Sequence, residues 1–357
     1  MPLASRFSER PLIAIWELTR ACQLRCLHCR AVPRPDPRQL STDEALALVE
    51  QLHELDPAVV VLTGGDILER RDLFAIIGTA TGRGLDIAVT PSVTPLLTRR
   101  AIRRLADVGV TRIALSLDGP DASVHDTLRG NPGSFAATLA TISAVQDVGL
   151  PLQLSSRLTR RTVPELPATG HLVAKIAPVL WSVLVVVPAG RATMDQQLDP
   201  EACEAAFHYL DDWRERTGLP VETTAAPAFR RVVLERGASR TRPGTRAPRP
   251  EAVNDGKGLV FVSHTGKIYP SGFLPLCVGD VRVQRLAGVY RTSPLLQTLR
   301  NEDLLQGKCG ICPFRALCGG SRARAFAATG AVLAEDPACV YAPPRTCRGA
   351  PPPALPP

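Results

Sequence analysis

No apolar run in this 357-residue sequence is long enough to cross a bilayer. The longest, residues 176–189 (IAPVLWSVLVVVPA), carries Pro178 and Pro188 near its ends and reads as a buried strand. A secretory signal is missing too, because MPLASRFSERPLIAIW places charge where an apolar segment is needed. Lysine is almost absent: nearly all of the 42 basic residues are arginine, which with abundant Ala and Pro reflects GC-rich coding. The net charge of +8 is spread along the chain rather than gathered into a nucleic-acid stripe. No internal repeat is visible beyond an alternation of strand-like and helix-like segments. These absences predict a cytoplasmic protein without a membrane partner. In such reducing surroundings ten cysteines are metal ligands or redox groups rather than disulfides.

The length suits about two domains. Six short runs rich in Val, Ile and Leu recur at 12–19, 58–65, 85–92, 111–119, 150–159 and 179–188. Such runs suit parallel strands buried on both faces. The stretches between them read as helices. Ser41 opens one with Glu44 three residues on, a capping box, and the stretch 70–84 closes on glycine. Stretches 98–109, 134–149 and 163–177 complete the set. Six β/α units predict an α/β fold, a partial (β/α)6 TIM-like barrel over residues 1–198, with ligands at the C-terminal ends of its strands. Residues 199–255 are predicted to be a linking helix (199–218) and a mobile, basic Arg/Pro-rich loop (236–252). A small Cys-rich domain spans 256–347, opening with a hairpin that turns at 264–266, and 348–357 is a disordered Pro-rich tail.

Cys22, Cys26 and Cys29 form CxxxCxxC directly after the first predicted strand. Three thiolates fall one short of a closed zinc site, which His28 would have to complete. A [4Fe–4S] cube held by three cysteines instead keeps one iron open to a small molecule. Gly64, Gly65 and Asp66 end the second strand, where glycines admit a close backbone approach and a carboxylate suits an ammonium. Cys309, Cys312, Cys318 and Cys339 form a second group: CxxC, a third cysteine after five residues, and a late fourth. Four thiolates so spaced close either a zinc site or a [4Fe–4S] cluster.

CxxxCxxC after a first strand, followed by GGD and six β/α units, resembles the radical S-adenosylmethionine (SAM) superfamily. Residues 11–341 as a whole are similar to its SPASM-bearing group, which includes haem-pathway decarboxylases and enzymes acting on ribosomal peptides. Residues 254–276 resemble an uncharacterised subgroup of these. The resemblance implies that Cys22, Cys26 and Cys29 hold a cluster whose open iron chelates SAM. An electron then cleaves SAM to methionine and a 5′-deoxyadenosyl radical, which takes a hydrogen atom from a substrate C–H bond. It also implies that Gly64, Gly65 and Asp66, in place of the usual GGE, receive the SAM amino group. Ser116 would touch the ribose or carboxylate, with Arg129 and Ser156 as further polar contacts. Backbone at 185–192 would pack on adenine, and His28 against the cluster or adenine. Ser116 and Asp118 also suit a plain strand-end turn. Cys309, Cys312, Cys318 and Cys339 would hold one auxiliary [4Fe–4S] cluster for electron transfer. Ser271 and Arg322 stand where further cysteines of a two-cluster domain would be, which leaves Cys277 without partners. Cys347 is an alternative ligand or a free thiol, and Cys203 a small buried apolar residue.

The sequence therefore predicts an enzyme, a radical SAM oxidoreductase or maturase, and names no catalytic side chain. A cofactor precursor or small carboxylate-bearing substrate is favoured by arginines near the strand ends: Arg99, Arg100, Arg129, Arg160, Arg161 and Arg191. Only about ten residues precede the first strand, so no leader-binding domain is expected there. The alternative is a maturase of a ribosomal peptide or a partner enzyme. A reductase, flavodoxin or ferredoxin would supply the electron. A non-catalytic iron–sulfur or nucleic-acid-binding protein fits poorly. An electron carrier has no use for GGD, and the basic segment 240–249 lacks aromatics for base stacking.

Overall fold

The computed structural model describes residues 7–240 and 252–344. The six expected strands all form within their expected spans: β1 (Ile13–Glu17), β2 (Val59–Thr63), β3 (Ile87–Val89), β4 (Arg112–Ser116), β5 (Leu152–Leu158) and β6 (Leu180–Val185). They lie side by side in chain order and all parallel, with Ile13 opposite Val59. β7 (Val221–Thr224) extends this run beyond β6. On the other side of β1, β8 (Leu259–Val262) pairs in parallel, with Leu259 opposite Ile13. β9 (Lys267–Tyr269) and β10 (Gly279–Asp280) continue it antiparallel. The result is one ten-stranded sheet of a mixed α/β fold, the partial-barrel class expected.

Side chains alternate along each strand. Ala14, Trp16, Val60, Leu62 and Leu154 point outward into the core formed with the helices. Ile13, Ile15, Val61, Ser155 and Arg157 point inward and line a cavity. The burial expected on both faces is complete on the outer face, whereas on the inner face Ile13, Ile15 and Val61 are only half-buried because they wall an internal space. The capping box forms as expected: Ser41 Oγ accepts from Glu44 N–H at 3.2 Å, and Glu44 Oε2 accepts from Ser41 N–H at 2.8 Å. Arg282, far along the chain, donates to the same carboxylate at 2.6 and 3.1 Å.

Several elements escaped the sequence pattern, among them β7, the helices Ala122–Arg129 and Ala228–Arg240, and the helices Leu286–Thr292, Pro294–Arg300 and Arg322–Thr329 of the C-terminal segment. β7 has no apolar run, and pairing with β6 decides its conformation. The helix Ala228–Arg240 overrides the loop expected from residue 236. There Arg236 donates to the His208 carbonyl at 2.8 Å and to Asp212 at 2.5 Å, contacts that only the folded neighbour supplies. The rest of that loop (241–251), Cys347 and the tail 348–357 lie outside the described residues. The sheet also runs across the boundaries expected at 198 and 256, since β7 and β8–β10 belong to it. Among the described residues no helix is long and apolar enough to cross a membrane.

Arg70 ties the first two loops together. Its buried guanidinium donates to the carbonyls of Leu18 (3.0 Å) and Leu40 (3.1 Å) and pairs with Asp72 at 2.7 Å. Arg70→Met leaves those carbonyls unsatisfied and should lower stability by about 3 kcal/mol in urea unfolding. A loss below about 1 kcal/mol would mean that water replaces the guanidinium.

Candidate active site

The loop after β1 carries three cysteines to the C-terminal ends of the strands, and its shape is set by contact with neighbouring backbone. Gly65 N–H donates to the Thr19 carbonyl at 2.8 Å and Asp66 N–H to that of Ala21 at 2.7 Å. On the far side Leu27 N–H donates to Leu128 O at 3.0 Å, and Arg191 N–H to Cys29 O at 2.8 Å. A Cβ at Gly65 would collide with the Ala21 carbonyl, and one at Gly190 with the Arg30 carbonyl. Glycine is needed at both places because the loop passes too close for a side chain.

Cys22, Cys26 and Cys29 line one cavity of 720 Å³, together with His28, Gly64, Gly65, Ser116 and Arg129. Cys22 Sγ accepts from Leu24 N–H at 3.4 Å and lies 3.7 Å from Ser92 Oγ. Arg129 Nη1 points at Cys26 Sγ from 3.8 Å. Burial raises the pKa of the Cys22 thiol. Burial first, then the charge of Arg157, holds His28 well below the usual imidazole range, so it is neutral at pH 7. Its Nδ1 is buried without a partner. Among the described residues no three His, Cys, Asp or Glu converge on a single metal ion. The three thiols border a space instead. With N–H and guanidinium donors aimed at sulfur, that space suits a multi-atom thiolate cluster.

Asp118, fully buried after β4, organises the polar wall. Its Oδ2 meets Arg129 Nη2 at 2.7 Å, and its Oδ1 accepts from Arg157 N–H at 2.9 Å. Its own N–H donates to His125 Nδ1 at 3.1 Å. Burial alone would raise its pKa, but Arg129 and then Arg157 hold it well below the usual carboxylate range. Arg157 Nη1 donates in turn to Ser116 Oγ at 2.5 Å. Ser116 thus stands on the cavity wall, and Asp118 is an ion-pair hub rather than a plain turn residue.

Two expected contacts are corrected. Ser156 faces outward: its Oγ donates to the Leu117 carbonyl at 2.5 Å and accepts from Trp181 Nε1 at 2.9 Å. The alternation that puts Gln153, Ser155 and Arg157 on one face of β5 turns Ser156 to the other. That same alternation was the signal for Arg157, which the motifs did not single out. Asp66 is also fully buried and off the wall. Its Oδ1 caps Leu68 N–H at 3.2 Å, its Oδ2 accepts from Thr94 Oγ1 at 2.6 Å, and burial raises its pKa. Of the arginines expected near the strand ends, Arg129 and Arg191 line the cavity. Arg99 pairs with Asp147 outside at 2.8 Å, Arg160 donates to Gln197 O, and Arg100 and Arg161 are exposed.

A second buried hub sits where β1 runs into the cysteine loop. Glu17 accepts from Arg30 Nη2 at 2.7 Å and Arg20 Nε at 3.4 Å, and pairs with His264 Nδ1 at 2.7 Å. His264 Nε2 reaches Asp36 Oδ2 at 3.1 Å. The hairpin's His264 thus joins β8 and β9 to the cysteine loop, a role its turn motif did not announce. Burial works against the Glu17 carboxylate, but Arg30 and the His264 hydrogen bond lower its pKa to about 2.

Cys309, Cys312, Cys318 and Cys339 meet around one small pocket of about 20 Å³. Cys309 Sγ accepts from Asp336 N–H at 3.5 Å and from Arg322 Nη2 at 3.8 Å, and Cys318 Sγ accepts from Gly320 N–H at 3.4 Å. Burial pushes Cys312 up to about 11 and Cys318 up to about 12, so these are neutral thiols unless a metal binds them. Arg322 is fully buried and also donates to the Val332 and Ala334 carbonyls. Cys277 is exposed, with its Sγ donating to Gly279 O at 3.3 Å, and Cys203 is buried in the core.

The sequence pattern of the radical SAM superfamily matches residues 16–159. The chain is 34% identical over 337 residues to a protein of Oleidesulfovibrio alaskensis named AdoMet-dependent heme synthase, covering 92% of this chain and 87% of that one. A protein of the same name from Methanosarcina barkeri is 32% identical over 343 residues, 94% of this chain and 98% of the other. Among solved structures, Streptococcus suis SuiB bound to its precursor peptide SuiA aligns with a TM-score of 0.73. It covers 93% of this chain and 76% of that one at 14% identity, a likeness of fold.

Two outcomes follow from the geometry. Ser156→Ala strands the Trp181 indole N–H and should cost about 1–3 kcal/mol of stability while leaving SAM affinity intact. Weaker SAM binding at unchanged stability would restore Ser156 to the wall. Because the folded-state pKa of Glu17 is lowered, its pairing stabilises the fold above the ordinary carboxylate range and is lost as pH falls from about 4.5 towards 2. Glu17→Gln should flatten the pH dependence of stability in that window, and an unchanged slope would remove Glu17 as its source.

Proposed function

This chain belongs to the radical SAM superfamily and is a radical SAM enzyme, and we propose that it acts on an acidic side chain of a tetrapyrrole precursor of haem. The observation that carries the substrate reading is near full-length similarity to two proteins named AdoMet-dependent heme synthase. The cavity is compatible with it: Ile13, Ile15, Val61, Leu184 and Phe261 offer an apolar surface for a flat macrocycle, and arginines offer partners for its carboxylates.

Membership of the family implies a [4Fe–4S] cluster and SAM as cofactors. Cys22, Cys26 and Cys29 would hold the open cluster, and Cys309, Cys312, Cys318 and Cys339 a closed auxiliary one in the 256–347 segment. When bound, the open cluster supplies the electron that splits SAM into methionine and a 5′-deoxyadenosyl radical, and the closed one supplies an electron acceptor. The chain's own residues do the rest. Leu24 N–H and Arg129 offset negative charge on the Cys22 and Cys26 sulfurs. Gly64, Gly65, Ser116 and Arg157 present polar groups for SAM, and Asp118 keeps Arg129 and Arg157 aimed. Apolar side chains exclude water from a reaction that a stray hydrogen donor would quench. For a propionate, loss of one hydrogen atom, one electron and CO₂ leaves a vinyl group. The electron entering with SAM is thereby matched by one leaving the substrate. A flavodoxin or ferredoxin would deliver the first.

Replacing Cys22, Cys26 and Cys29 together by Ala should abolish 5′-deoxyadenosine release under anaerobic reduction and lower iron from about eight to about four per chain. Cys309→Ala with Cys312→Ala should keep part of that release yet lose conversion of a propionate-bearing iron porphyrin, for which iron coproporphyrin III serves as the probe. Wild-type iron near four with one zinc would sink the auxiliary cluster. Turnover of a ribosomal peptide but no porphyrin would replace the substrate reading.

A further inference from the structure

A guanidinium in a partly dry cavity is costly without a counter-charge. The arginines on the cavity wall differ in how that charge is met. Arg20 and Arg30 share Glu17, and Arg129 and Arg157 share Asp118. Arg214 pairs with Asp211 and Glu215, and Arg230 donates to the carbonyls of Leu317 and Val253. Arg191 stands apart. It lines the same cavity, its Nε is buried with no hydrogen-bond partner, and no carboxylate among the described residues pairs with it.

Its position is nevertheless fixed. Arg191 N–H is anchored on the Cys29 carbonyl at 2.8 Å. Gly190 before it has φ +64° and sits so close to the Arg30 carbonyl that no side chain fits. The backbone therefore holds the root of Arg191 beside the cysteine loop, while its planar fork of donors is left for something that enters the cavity. Such a fork matches a carboxylate in two-point contact.

We propose that Arg191 is the substrate-carboxylate clamp of this enzyme. It takes an acidic side chain of the substrate and so presents the neighbouring C–H bonds to the cysteine-loop end of the cavity. The inference rests on the reading of the substrate as a tetrapyrrole acid, and it gives the Arg191 side chain to the substrate while the 185–192 backbone stays the expected adenine contact. Ser116 and Arg157 lie on the β4 and β5 walls, whereas Arg191 follows β6.

The test is an absorbance titration of the cluster-loaded full-length protein with iron coproporphyrin III, alongside its tetramethyl ester. Arg191→Gln should weaken binding of the acid by about tenfold or more, and Arg191→Lys should recover part of that loss. The ester should bind wild type and variant alike, and so should SAM titrated alone. Equal affinity of wild type and Arg191→Gln for the acid would overturn the clamp and leave the tetrapyrrole reading standing. Weaker SAM binding by the variant, with unchanged porphyrin affinity, would assign Arg191 to SAM instead. Failure of wild type to bind either porphyrin would overturn the tetrapyrrole reading and the clamp with it.

Discussion

The structure depends on how closely one loop lies against its neighbours' backbone. The cysteine loop has little secondary structure of its own, so its three thiols are positioned by hydrogen bonds to the ends of β2 and β6. Gly65 and Gly190 make that approach possible from opposite sides. A backbone-to-backbone contact has fewer soft degrees of freedom than a side-chain contact, so it fixes the thiol positions more tightly. The glycines of GGD thus serve the cysteine loop directly, whatever they also do for a ligand. Asp66 completes the same job by capping the next turn.

Around this loop, two buried carboxylates set the electrostatics. Glu17 gathers Arg20, Arg30 and His264; Asp118 gathers Arg129 and Arg157. Each would be unfavourable alone in so dry a place, and each is held ionised by more than one cationic or hydrogen-bonding partner. Arginine suits this arrangement better than lysine would. It stays charged when desolvated, and its several donors can serve a carboxylate and a second acceptor together, as Arg157 serves Asp118 and Ser116. The scarcity of lysine, whatever its origin in coding, leaves a wall whose charges do not switch off near neutral pH.

The strands of the barrel were legible because each is a compact apolar run, and the cysteine groups because their spacing is local. What the sequence hid was orientation. Ser156 and Arg157 are adjacent in sequence and equally polar, yet one supports Trp181 and the other faces the cavity. Only the phase of the β5 alternation separates them. Asp66 looked like a ligand residue because it follows two glycines, but its two oxygens are already taken by Leu68 and Thr94. His264 read as a turn residue because its partners, Glu17 and Asp36, lie far away in the chain. β7 and the helix Ala228–Arg240 were missed because tertiary pairing, not composition, holds them.

The parallel pairing of β8 with β1 joins the last quarter of the chain to its first strand. Contacts between such distant segments form late, and a nascent chain folds from its N-terminus forward. Until β8 docks, the wall that carries Phe261, His264 and Phe273 is absent, and the cysteine loop stands at an open edge. The two groups of thiols are therefore completed in sequence: the three of the first loop while the barrel still gapes, the four of the second only once the polypeptide is nearly finished. Chain connectivity thus sets the order in which the two thiol groups take their places in the architecture.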